Sequence, residues 1–169
     1  ATLGEYIVGS ELESEDILFI SGDKTSAFQS NVDILIDESN TAQVKHEDKE
    51  AEKIIIEQQA LNRLIVPYGK RSKIVLADGT RVWLNSGSSL EFPSTFSDDS
   101  REVFLAGEMY IEVEPDNKRP FHVHTSDFNV RVYGTKFNVS SYTGSSSSVV
   151  LVEGSFGLQS MDMEELILS

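Results

Sequence analysis

The stretch Ile74-Val75-Leu76-Ala77-Asp78-Gly79-Thr80-Arg81-Val82-Trp83-Leu84 decides the fold class. Ile74 and Leu76 alternate with Lys73 and Val75, and Val82 and Leu84 alternate with Arg81, Trp83 and Asn85. Period-two alternation puts one set of side chains on a single face of a strand, and glycine after aspartate admits the positive φ of a tight hairpin turn. The segment predicts two antiparallel strands that turn Ile74, Leu76, Val82 and Leu84 toward a core.

The same period extends outward. Leu90 and Phe92 precede Pro93, residues 94–100 read as a polar loop, and Val103 and Leu105 run to Gly107. Met109, Ile111 and Val113 then alternate with Glu108, Tyr110, Glu112 and Glu114, followed by turn chemistry at Pro115-Asp116-Asn117-Lys118. Phe121, Val123 and Thr125 form one further strand face; Phe128, Val130 and Val132, ending at Gly134, form the next, and Phe137 and Val139 another. After a Gly/Ser-rich connection, the unbroken run Val149-Val150-Leu151-Val152 reads as a strand buried on both faces. Before residue 60, Ile17–Ile20 and Val32–Ile36 read as two strands separated by Ser-Gly-Asp-Lys-Thr. Ala42–Lys45 reads as a third, and His46–Lys53 as a charged loop. Nothing has a sustained helical period. The expected fold is all-β, a mostly antiparallel two-sheet β-sandwich of jelly-roll type, with a β-solenoid-like stacking of hairpins as the alternative.

Charge divides the chain. Its 169 residues carry 14 Lys plus Arg against 28 Asp plus Glu, a net charge of −14. Residues 1–60 hold 14 acidic and 4 basic side chains, a net of −10, whereas residues 61–169 hold 14 and 10, a net of −4. The step predicts an acidic N-terminal segment with a few strands over 1–60 and an all-β domain over 61–169. The acidic excess argues against nucleic acid, whose phosphates need Lys and Arg, and against docking on anionic lipid. The absence of Cys excludes disulfides, thiolate metal sites and cysteine nucleophiles. No run approaches the roughly 18 apolar residues of a membrane-spanning helix.

Four constellations invite chemistry. Glu108, Glu112 and Glu114 share a strand face, and positions i and i+2 lie about 7 Å apart, within the range of a glycosidase carboxylate pair. A solvated strand face explains the same alternation and is preferred. His122 and His124 point the same way and would begin a metal site, but a third ligand is wanting. His46 lies far off in sequence and Asp127 is the one nearby carboxylate, so a surface pair beside Lys118 and Arg119 is preferred. No Gly-x-Ser-x-Gly elbow and no phosphate-binding loop occurs, the Tyr133-Gly134-Thr135 step lacking both the lysine and the helix. Trp83, flanked by Arg81 and Asn85, reads as a carbohydrate platform or an interface anchor if exposed, and a place half-buried between sheets is preferred. Tyr68, Tyr110, Tyr133 and Tyr142 fit core or contact roles alike. No catalytic, cofactor-binding or metal-binding residue is assigned.

Taken together, the blocks are Val66-Pro67-Tyr68-Gly69-Lys70-Arg71-Ser72, Val75–Asn85, Phe92-Pro93, Arg101-Glu102-Val103, Leu105–Val113, Pro120-Phe121-His122-Val123, Val130–Val139 and Val149–Gly154. In this order they resemble the FecR domain, the periplasmic part of transmembrane anti-sigma factors, in its Bacteroidetes form. The resemblance spans about 63–158, with Tyr133 where leucine is common. It implies a non-enzymatic, cofactor-free signalling domain, in a protein anchored in the inner membrane by a single helix preceding this stretch. Residues 1–60 would then be a membrane-proximal leader whose acidic side chains, Glu11, Glu13, Glu15 and Asp16 among them, hold the domain off the headgroups. The implied partners are the signalling domain of a TonB-dependent outer-membrane transducer and, through a cytoplasmic region, an extracytoplasmic-function sigma factor. The motif positions read as structural: Asp78-Gly79 for a turn, Gly107 and Gly134 for tight backbone, and Leu84, Val113, Phe121 and Phe137 for packing.

Overall fold

The computed structural model describes residues 15–37, 39–46, 50–144, 146–153, 156–160 and 165–168. They form strands and connections, with no helix among them. The N-terminal strands are β1 (Ile17–Ser21), β2 (Lys24–Phe28), β3 (Val32–Ile36), β4 (Thr41–His46) and β5 (Glu52–Ile55). β6 (Leu61–Val66), β7 (Ser72–Val75), β8 (Arg81–Leu84), β9 (Ser88–Pro93) and the long β10 (Arg101–Glu112) follow. The rest are β11 (Phe121–His124), β12 (Phe128–Val132), β13 (Lys136–Ser141), β14 (Ser148–Glu153), β15 (Phe156–Ser160) and β16 (Glu165–Leu168).

The hairpin at Asp78-Gly79 forms as the alternation predicts. Ile74 pairs with Val82 across antiparallel β7 and β8, and Ile74, Leu76, Val82 and Leu84 are buried. Gly79 takes φ +93°, and Asp78 accepts hydrogen bonds from Thr80 N at 3.0 Å and Thr80 Oγ1 at 2.7 Å. Other boundaries differ. The polar Ser21–Thr25 separator is a hairpin between β1 and a further strand, β2, whose Lys24 to Ala27 lack an apolar period because one buried residue, Phe28, anchors it. The charged His46–Lys53 segment contributes Glu52 and Lys53 to β5, which pairs with β4.

The all-β and mostly antiparallel expectations hold, but the two separate sheets are replaced by one strongly curled mixed sheet, a half-barrel. The cause lies in β10. Its first half pairs with β9 and, in parallel, with β11; from Gly107 onward it pairs with β8 and β13. One continuous strand therefore belongs to both halves of the sheet, and no solenoid of stacked hairpins results. Gly107 was expected to end a strand; at φ +111° it bends one instead. A Cβ there would lie 2.7 Å from the Ser88 Cα, while Ser88 Oγ accepts the Glu108 amide at 2.8 Å. Only glycine permits both that φ and that approach.

A second parallel pairing, β3 with β7, joins residues 32–35 to 72–75. Through it and the β1–β6 pairing, the described part of the acidic segment enters the same sheet, and Ile17, Phe19, Ile34, Ile36 and Val44 share one core with Leu84, Ile111, Phe121 and Phe137. Burial of these apolar faces supplies the main stabilisation.

At the end of the core lies a buried cation. The Arg101 side chain is 0% exposed, and its guanidinium meets Asp78 Oδ2 at 2.8 Å. It also donates to the carbonyls of Glu114 at 2.6 Å, Arg119 at 2.9 and 3.1 Å, and Tyr133 at 3.4 Å, and it lies 5.3 Å from the Phe121 ring centroid. One side chain thus pins the β7–β8 turn, the β10–β11 connection and the β12–β13 connection together.

Candidate functional site

The outer face of the sheet holds the polar residues that the alternation left outside. On β10, Glu108 accepts from the Asn85 amide and, at 3.4 Å, from Asn138. Glu112 meets Arg81 at 3.0 Å and the Tyr110 hydroxyl at 2.9 Å. Glu114 lies beyond the strand, exposed, its main chain engaged by Thr80 and Arg101. Glu108 and Glu112 are four positions apart, about 13 Å along an extended strand, outside the range of a glycosidase pair. Each is held by a neighbour, as a structural face requires.

His122 and His124 stack on the opposite half of the sheet, 5.8 Å between centroids and 9° between planes, with Phe104 stacked on His124 at 4.6 Å. His124 lies between Asn129 Oδ1, 2.7 Å from Nδ1, and Glu102 Oε1, 2.9 Å from Nε2. Burial pushes the His122 imidazole below its ordinary value, an effect that the Glu102 carboxylate partly opposes. Opposite His122 stand Glu102 and Arg131, not the expected Lys118 and Arg119; Arg119 instead binds Asp116 at 2.8 Å, which lowers that carboxyl. His46 packs against Phe28, 5.2 Å away, and Asp127 receives Ser141 and Ser147 hydroxyls. Among the described residues no group of three or more His, Cys, Asp or Glu side chains is placed to hold a metal ion.

Trp83 is half-buried on the outer face, 5.3 Å from the Tyr110 ring, with the Lys73 ammonium 5.1 Å from its centroid. With Lys73, Arg71, Asn85, Asn31 and Asp33 it lines an open trough of about 410 Å³. The Asp78-Gly79 hairpin places Lys73 opposite Trp83, whereas Asn31 and Asp33 arrive only through the parallel pairing of β3 with β7, which no local pattern announces. Of the tyrosines, Tyr68 and Tyr133 are exposed, Tyr110 leans on Trp83, and the Tyr142 hydroxyl donates to the Ser86 carbonyl at 2.9 Å.

The run Val149–Val152 is not buried on both faces. Val149 and Leu151 pack against the core, while Val150 and Val152 are 56% and 60% exposed. Among the described residues β14 pairs with β13 alone, which leaves its other edge unpaired.

These features define an all-β domain with a continuous core and polar, contact-forming outer faces. A sequence model of the FecR protein family matches residues 62–156, more than half of the chain, and the chain belongs to that family. FecR domains are typically periplasmic and the family is generally non-enzymatic. Two crystal structures from Parabacteroides distasonis ATCC 8503, at 1.65 and 2.50 Å, match at 32% identity with TM-scores of 0.60 and 0.61; both are described as a “putative anti-sigma factor”. They align with 63% and 64% of this chain and with 50% and 51% of their own, so the chain spans about half the length of the structures it matches. A comparison with curated proteins finds no match. No helix among the described residues is long and apolar enough to cross a membrane.

Proposed function

We propose that the chain is the periplasmic signalling domain of a transmembrane anti-sigma factor. It takes a signal from the signalling domain of a TonB-dependent outer-membrane transducer and passes it, through a single inner-membrane helix and a cytoplasmic region, to an extracytoplasmic-function sigma factor. The observation that carries this reading is the FecR family match over residues 62–156. The resemblance to structures described as anti-sigma factors supports it.

The β14 edge offers the transducer a place to dock. An unpaired edge presents free N–H and C=O groups, and a partner strand adds to it through main-chain hydrogen bonds. β5 and β2 carry charges at their edges, Glu52 and Lys53 on one and Lys24 on the other, whereas the middle of β14 is uncharged with two valines outward. Co-purification of the full-length protein with the transducer's periplasmic domain tests the reading. Binding that Val150→Lys weakens supports it; no binding by the full-length protein refutes it.

A further inference from the structure

The trough beside Trp83 has a chemistry at odds with the rest of the molecule. It runs across β4, β3, β7 and β8, which are consecutive neighbours in the sheet. Asp33, Lys73 and Trp83 stand opposite one another in register and make one wall; Asn31, Arg71 and Asn85 make the other. A second hollow of about 250 Å³ continues it past Asn31 and Asp33 to Lys45 and His46. Three strand spacings give a length of about 14 Å.

Two features describe its occupant. First, among the described lining residues Lys45, Arg71 and Lys73 accompany one carboxylate, Asp33, in a chain of net charge −14. Among the described residues neither Lys45 nor Arg71 forms an ion pair. Second, the strands beneath are interior, each paired on both sides, so their main chain is already satisfied. An added peptide strand would find no edge there. A ligand must be read by side chains alone: an aromatic face, two amides and three cations.

We propose that this trough binds an acidic oligosaccharide of the polyuronate class. A pyranose C–H face stacks on the Trp83 indole in place of the Lys73 ammonium, which lies 5.1 Å from its centroid and turns to the ligand. The Arg71 guanidinium takes a carboxylate in a fork, while Lys73 and Lys45 pair with those of neighbouring rings. Asn31 and the Asn85 carbonyl oxygen engage hydroxyls. This inference does not rest on the anti-sigma reading.

Trp83 is the chain's one tryptophan, so its fluorescence reports occupancy directly. Titration with tetragalacturonate should give a saturable change that weakens as salt is added. Arg71→Gln, an exposed substitution outside the core, should lower affinity about tenfold with an unchanged unfolding midpoint, the loss of one charge-assisted pair. Lys45→Gln should lower it in the same direction. The proposal is overturned if millimolar tetragalacturonate leaves the fluorescence unchanged, if neutral maltotetraose binds equally, or if Arg71→Gln binds like the parent. A tetraglutamate peptide that binds as tightly as the sugar also overturns it, in favour of an acidic peptide.

Discussion

Replacing Arg101 by alanine tests whether the buried guanidinium joins the halves of the sheet. In the parent its charge meets Asp78 at 2.8 Å, with side-chain exposures of 0% and 3% for Arg101 and Asp78. The substitution leaves the Asp78 carboxylate buried without its countercharge, and the carbonyls of Glu114, Arg119 and Tyr133 lose a donor. Breaking a buried pair from one side costs about 3–5 kcal/mol, because desolvation of the survivor is no longer offset. The carbonyl losses overlap with that figure and are not added to it. In a domain of this size each kcal/mol lowers Tm by about 2–4 °C, so a fall of about 10 °C is expected. Urea unfolding of Arg101→Ala, Asp78→Asn and the double variant provides the assay. The double variant should lose less than the two singles summed, with a coupling above about 1 kcal/mol. Arg81→Ala serves as a control, since its partner Glu112 lies on the outer face and half of the Arg81 side chain is in solvent. It should cost less than about 1 kcal/mol. A loss below about 1 kcal/mol for Arg101→Ala, or strict additivity with Asp78→Asn, would refute the reasoning.

Gly107→Ala meets both a positive φ and the Ser88 backbone, and should destabilise by about 2 kcal/mol or more, read from the urea midpoint. Gly134→Ala should also destabilise, because its Cβ would lie 2.7 Å from the Pro115 Cα. His122 has a folded-state pKa below the ordinary 6.5, so on acidification the unfolded chain takes up the proton first. Its contribution is present above 6.5 and is lost as pH falls toward the folded value. His122→Asn should flatten the stability profile over that window, and an NMR titration of the His122 ring should find a midpoint below 6.5. Val150→Lys, on the exposed face of β14, should leave stability within about 0.5 kcal/mol in thermal unfolding.

Much of the fold was legible because strand alternation is local. Ile74, Val82, Leu105, Ile111, Phe121 and Val130 each declare a core face within a few residues, and Asp78-Gly79 declares its turn. The same logic misread two stretches. β2 has too little apolar period to be seen, and Val149–Val152 is apolar on both faces although one is bare. Neighbouring layers decide burial, and a strand's own residues do not name them.

Composition and motif order thus determined an all-β FecR family chain with its acidic residues concentrated before residue 60. Tertiary structure decided the rest. Arg101 is one charged residue among many in the sequence; only the convergence of three connections around it makes it a buried clasp. Glu108 and Glu112 gain Asn85 and Arg81 as partners through the register of β8 against β10, and Trp83 gains Asn31 and Asp33 in its trough through the parallel pairing of β3 with β7. Cross-strand register joins residues tens of positions apart, and no local periodicity encodes it.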